Sequence, residues 1–172
     1  GYQALGLEPH SDQASIINAA VNDTVIDNAA LNSSCNILLK GSKSEKYRAA
    51  QIKAWLQADH STRIDLFFEH YLPIFLTKKR TPRAPRGLMS QSLALAEQDA
   101  LPPLLAEQER LYQISEILKA TAVAENTAAI LTIGNTLLEA YERLKRLRGL
   151  LDYDDLIAKA AILLSNKDGV SW

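Results

Sequence analysis

The chain has 172 residues, with 19 Lys plus Arg against 20 Asp plus Glu and a formal net charge of −1, which excludes both a strongly basic nucleic-acid tail and a strongly acidic solvating segment. Apolar residues make up 47% and charged residues 23%, enough for a packed core and too apolar for wholesale disorder. With 7 Gly, 6 Pro and 6% aromatics, an all-β sandwich or barrel lacks its turn and strand residues, so the expected class is all-α, an irregular multi-helix bundle.

Helical spacing runs through almost the whole sequence. Pro9-His10-Ser11-Asp12 predicts a helix start, followed by Ile16, Ile17 and Ala20. Asp23-Thr24 predicts a second short helix carrying Val25, Ile26, Ala29 and Ala30 and ending near Asn32-Ser33-Ser34. Gly41-Ser42-Lys43-Ser44 breaks the chain, and Ser44 is the expected cap of a helix that turns Tyr47, Ile52, Trp55 and Leu56 inward. Ser61 or Thr62 is the expected cap of the next, with Ile64, Phe67, Phe68, Tyr71 and Phe75 on one face.

The composition then changes. Residues 77–87 read TKKRTPRAPRG, with two prolines and no acid. Pro82 and Pro85 forbid a regular helix, so a loop or short extended excursion is expected, and with it a sub-domain boundary. The expected organisation is a helical part over 1–76, the basic loop over 77–89 and a long-helix part over 90–172, or a single domain overall.

From Ser90 onward helix dominates again. Pro102-Pro103 fits the first turn of a long helix whose inward stripe is Leu104, Leu111, Ile114, Ile117 and Leu118. The small-residue stretch 120–132 either continues this helix or breaks near Glu125-Asn126. Leu137, Leu138, Tyr141, Leu144 and Leu147 make a further stripe, terminated by Gly149. Asp152 opens the last helix, with Leu156, Ile157, Ala160, Ala161, Leu163 and Leu164 as its apolar face, and Asn166-Lys167-Asp168-Gly169 is an expected turn.

Known catalytic patterns are missing. There is no phosphate-cradling G-x-x-x-x-G-K-[ST], no G-x-S-x-G and no H-E-x-x-H. One cysteine, Cys35, allows neither an internal disulfide nor a cysteine-based zinc site, and His10, His60 and His70 lack ligand spacing. No apolar run approaches the ~20 residues of a membrane span, and no signal peptide opens the chain. The chain begins at Gly1, its one methionine is Met89, and it stops within Gly169-Val170-Ser171-Trp172; this reads as an internal piece of a longer protein. No catalytic residue and no metal ligand is assigned to this stretch.

Three charged groups remain. Lys78, Lys79, Arg80, Arg83 and Arg86 suit phosphate contact, or are solvated charges offset by acids on neighbouring helices. Arg143, Lys145, Arg146 and Arg148 fit a helix C-terminus, with Glu139–Arg143 and Glu142–Arg146 as i, i+4 pairs. Asp152, Asp154 and Asp155 are placed to start a helix: Asp152 as N-cap, the others in the first turn, with Asp155 at the capping-box position.

Around these acids the sequence resembles a known family. The segment 144–164, LKRLRGLLDYDDLIAKAAILL, together with Tyr141, is similar to a stretch of UvrD/Rep-type superfamily-one DNA helicases that lies shortly before their acidic ATPase motif. Tyr141, Lys145, Leu151, Asp152, Tyr153, Asp154, Asp155 and Leu156 carry the match, with Tyr153 where Phe is commoner. Within that family the chain most resembles the AddA-type helicase–nuclease subunits, with looser support from Phe75-Leu76-Thr77 and Pro82-Arg83. The resemblance implies an internal helical accessory domain, of the kind called 1B, that guides DNA through the basic loop. It implies ATP and Mg²⁺ bound by motor domains outside this stretch, a nuclease domain further on, an AddB-type partner subunit, and a bacterial cytoplasmic protein acting in double-strand break repair. Asp152 to Leu156 would then be structural, leading the chain back to the motor. The reading that competes with this, made without the resemblance, is a helical protein-interaction module with no nucleic-acid role; a stand-alone enzyme ranks last.

Overall fold

A computed structural model describes residues 12–165 of the chain. The described residues form helices joined by short loops, with no strand beyond one isolated bridge between Leu76 and Pro82. The class is all-α, as the sparse β-branched and turn residues imply. The chain divides into two compact units, Gly1–Ala124 and Glu125–Trp172, and residues 77–89 lie inside the first.

In the first unit, α1 (Gln13–Ala20) starts at Asp12, whose Oδ1 accepts the Ser15 N–H at 2.8 Å. Of the expected start, Pro9 to Ser11 lie outside the described residues. A short 3-10 turn, Asp23–Val25, precedes α2 (Asn28–Leu38), which is capped by Asp27. The expected short helix ending at Asn32–Ser34 is therefore corrected. The run of polar residues does not break the helix, because its side chains bond back to the helix's own carbonyls: Asn32 to Asn28 at 2.9 Å and Ser34 to Ala30 at 3.1 Å. Leu31, Cys35 and Leu38 face the core from α2.

Helix α3 (Lys43–Gln57) is capped by Ser42, not Ser44. Ser42 and Glu45 form a reciprocal capping box: the Ser42 N–H and hydroxyl donate to Glu45 Oε2 at 2.7 and 2.6 Å, and the Glu45 N–H returns to Ser42 Oγ. This register puts Glu45, Ala49, Ile52, Trp55 and Leu56 inward. Tyr47, two positions after Glu45, is turned outward and 64% exposed, contrary to its expected place.

Helix α4 (His60–Leu66) is capped by Asp59 rather than by Ser61 or Thr62, and continues through a π-helical turn, Phe67–Tyr71, into α5 (Leu72–Phe75). Pro73 has no N–H to place in an α ladder, and the wide turn just before it spends one extra residue. Phe67, Tyr71 and Phe75 consequently face the core, whereas Phe68 is turned out. The Trp55 and Tyr71 rings stack at 3.7 Å between centroids. Arg63 is buried beside them; its guanidinium lies 5.2 Å over the Trp55 ring and donates to the carbonyls of Trp55, Leu56 and Val21. A cation thus meets the negative ends of both α1 and α3.

After α6 (Pro85–Leu88) and α7 (Gln91–Ala96) comes α8, which runs unbroken over Leu101–Arg148. The alternative of a break at Glu125-Asn126 does not occur, since no Pro lies beyond the first turn and alanines are frequent. Leu104, Leu111, Ile114 and Leu118 are buried, with Ile117 packed against the same cluster.

The second unit, described by itself, holds the distal part of α8 and α9 (Tyr153–Ser165). Gly149 ends α8 at φ +64°, with Gly149 N–H to Arg146 O at 3.3 Å and Leu150 N–H to Lys145 O at 3.0 Å, the paired bonds of a Schellman close. The two predicted stripes are present as patterns, yet Leu137, Leu138, Leu144, Leu147, Leu156 and Leu164 are exposed, and α9 buries none of its described residues. The turn expected at Asn166–Gly169 lies outside the described residues.

Candidate nucleic-acid interface

The basic segment is an ordered turn. Leu76 and Pro82 pair, Thr77 N–H donates to Thr81 O at 2.8 Å, and Arg80 N–H donates to Thr77 O at 2.8 Å. Arg80 closes the turn at φ +57°, a conformation that costs an L-residue free energy. Its guanidinium sits 5.2 Å over the Phe68 ring, the side chain that the π turn released from the core. Lys78 and Lys79 are exposed in the turn.

Gln108 of α8 holds this turn in place. It is buried, and its Nε2 donates to Phe75 O at 2.8 Å and to Arg83 O at 3.0 Å. Arg83 adds its own N–H to Phe75 O and its Nε to Pro73 O, both at 3.1 Å. Arg86, on α6, reaches Gln91 Oε1 at 3.4 Å. Lys78, Lys79, Arg80 and Arg83 are thereby gathered on one turn, with Arg86 at the start of the next helix. Among the described residues none of the five makes an ion pair. The option of charges offset by acids on neighbouring helices finds no such acid bonded to them.

Gln108 was not singled out from the sequence, although a signal existed. It falls on the Leu104–Leu111 stripe, where a polar residue must find partners once buried. Arg48 and Tyr47 of α3 were missed as well; with Arg83, Glu69, His70 and Ser44 they line a cavity of about 270 Å³ beside the basic turn.

The acidic segment is structural in its bonding. Asp155 N–H donates to Asp152 Oδ1 at 2.9 Å and Asp152 N–H to Asp155 Oδ2 at 3.0 Å, a capping box closed by Asp in place of Glu. Lys145 reaches both acids, 2.9 Å from Asp152 Oδ2 and 2.6 Å from Asp155 Oδ2, and Tyr141 Oη donates to Asp152 Oδ2 at 3.2 Å. Lys145 and the Asp155 N–H hold the Asp152 carboxyl at about 2, and the bonds to Asp155 and Asp152 hold the Lys145 ammonium above its usual range. The Glu142 carboxylate also meets Lys145, at 3.3 Å, while Arg146 bonds only the Glu142 carbonyl; the expected Glu142–Arg146 pair is thus replaced by an i, i+3 pair. Asp154 and Tyr153 are exposed. Among the described residues no three His, Cys, Asp or Glu side chains converge as a metal site.

A second polar cluster is buried. Tyr71 Oη donates to Glu107 Oε1 at 2.8 Å, Arg110 meets both Glu107 oxygens at 2.7 Å, and Arg110 Nη1 donates to Ala20 O at 2.8 Å. Each member is satisfied, so the cluster ties α8 to α1 and to the π turn. No described helix is long and apolar enough to cross a membrane. Comparison of the chain with protein-family models, with curated proteins and with solved structures finds no match.

Proposed function

We propose that this chain is an internal, 1B-like helical domain of an AddA-type ATP-dependent DNA helicase–nuclease, acting in the bacterial cytoplasm in double-strand break repair. Its own role is sequence-independent contact with DNA. The observation that carries the reading is the ordered turn on which Lys78, Lys79, Arg80 and Arg83 project without a bonded acid, since such a turn attracts phosphates at no cost in broken ion pairs. The residues of the resemblance add support: Tyr141, Lys145, Asp152 and Asp155 form one bonded cluster rather than a scattered motif. On this reading ATP and Mg²⁺ belong to the motor domains, and the exposed leucines of 125–165 dock against those domains or an AddB-type subunit.

Salt-titrated binding to duplex DNA tests the reading. Up to five phosphate contacts predict a log–log salt slope of about −4 to −5, reduced when Lys78 and Lys79 are changed to Gln. Absence of binding at low salt overturns it. The second reading, a protein-interaction module with no nucleic-acid role, is favoured by one observation, the exposed apolar run Leu137, Leu138, Tyr141, Leu144 and Leu147; it predicts no DNA binding at any salt.

A further inference from the structure

The cavity between α3 and the basic turn has features that a solvated surface does not explain. Arg48 is half-buried on α3, and its Nε is buried without a hydrogen-bond partner. A buried donor left unpaired is costly and calls for a partner. Arg83 lines the same cavity, with its Nε committed to Pro73 O and its two Nη groups making no hydrogen bond among the described residues. Burial and the Arg83 charge both depress the Arg48 pKa, and Glu45 opposes them. Two guanidiniums facing one cavity repel, and an anion between them relieves that repulsion. Glu69 on the wall and Glu45 beside Arg48 each bring a negative charge, but neither makes an ion pair with either arginine among the described residues, so both guanidiniums keep donors free for a ligand. Tyr47 lines the same cavity and is 64% exposed, an aromatic face available at its mouth.

We infer that this cavity is a subsite for single-stranded DNA, in which Arg48 and Arg83 hold one backbone phosphate and the Tyr47 ring stacks on the adjoining base. Oxyanion recognition by paired guanidiniums and stacking on an exposed aromatic are the two elements of strand binding without base readout. The inference rests on the DNA reading above and deepens it, because it carries the strand from the basic turn onto α3 and prefers an unpaired base that can reach Tyr47.

Fluorescence anisotropy with a labelled oligothymidylate and with a labelled duplex tests it on the 172-residue chain. Tyr47→Ala is expected to weaken oligothymidylate binding about fivefold or more with duplex binding unchanged, and Tyr47→Phe to restore it. Arg48→Gln is expected to reduce the salt slope on the single strand by about 0.7, the share of one phosphate. Arg48→Lys keeps the charge and controls for loss of folding, as does an unchanged thermal melt for Tyr47→Ala. If Tyr47→Ala and Arg48→Gln bind like the parent while Lys78→Gln with Lys79→Gln binds weakly, the subsite is wrong and the DNA reading stands. If the unaltered chain binds neither DNA at low salt, both fall. If dTMP displaces the strand as readily as an unlabelled oligothymidylate does, the cavity takes free nucleotide and the strand assignment is overturned.

Discussion

Lys145 Nζ lies 2.6 Å from Asp155 Oδ2, so the last turn of one helix is bonded to the first turn of the next across a glycine close. The same ammonium bonds Asp152, which places a single cation between the C-terminal end of α8 and the N-cap of α9. Each helix end carries the charge its dipole favours.

This cluster has a pH signature. Asp152 is held at about 2, below its ordinary 3.8, so its contribution is complete above about pH 4 and is lost as the pH falls towards 2. Lys145 is held above its ordinary 10.5, so its contribution is complete below that pH and is lost as the pH rises through the raised value. Amide protection at the start of α9, taken relative to the intrinsic exchange rate at each pH, is expected to be greatest between these limits. In Lys145→Met both limbs should flatten and α9 should fray; an unchanged exchange profile would remove Lys145 from the cap.

Glu45 makes a parallel prediction in the first unit. Burial pushes its carboxyl up, but hydrogen bonds from the Ser42 hydroxyl and the N–H groups of Ser90 and Ser42 win and bring it to about 2. Its contribution is therefore complete above its ordinary 4.5 and lost towards pH 2. Glu45→Ala should cost about 1–2 kcal/mol, as a lost capping box and a stranded Ser90 donor. Denaturant melts at pH 7 and pH 3 check both: the variant's deficit should shrink at the lower pH.

Gln108→Leu keeps the volume of the buried stripe, strands the Arg83 carbonyl and leaves Phe75 O with the Arg83 N–H as its one remaining donor. The expected cost is about 1–3 kcal/mol. The informative readout is local: amides of residues 77–83 should exchange faster, with no cation removed. Protection equal to the parent's would mean that the turn holds its shape without α8.

Gly149→Ala tests the close of α8. An added methyl meets nothing within 4 Å, so any loss comes from the backbone at φ +64° alone. About 1 kcal/mol is expected, read as a lower helix content in the distal part of α8 and in α9. A neutral result would mean that the chain leaves α8 by another route.

The elements proved more legible than their edges. The Leu104–Leu118 stripe, the Pro102-Pro103 start, the Gly149 stop and the Asp152 cap all follow from local rules, because periodicity, a missing N–H, a positive φ and a short acidic side chain each act within one turn. The misplaced caps at Ser44 and Ser61 or Thr62 reflect rival capping residues two or three positions apart, a choice that packing of Glu45 and Arg63 decides. Phe68 could not be placed without the π turn, which no pattern of apolar residues announces. For the candidate interface, the cations of the basic turn stand out in composition and Gln108 is marked by its place on a buried stripe, whereas Arg48 and Tyr47 enter through contacts distant in sequence, to which a one-dimensional reading is blind.

Cys35 offers a means of following the core from inside. It is the only cysteine in the chain, fully buried on α2, with its thiol pushed up to about 11 by burial against a smaller opposing pull from Lys53. An alkylating reagent therefore reacts at a rate set by how often the surrounding helices part, because thiolate and access arrive together. One labelling time course, free of competing sulfhydryls, meters the opening of the N-terminal body while the C-terminal helices stay silent.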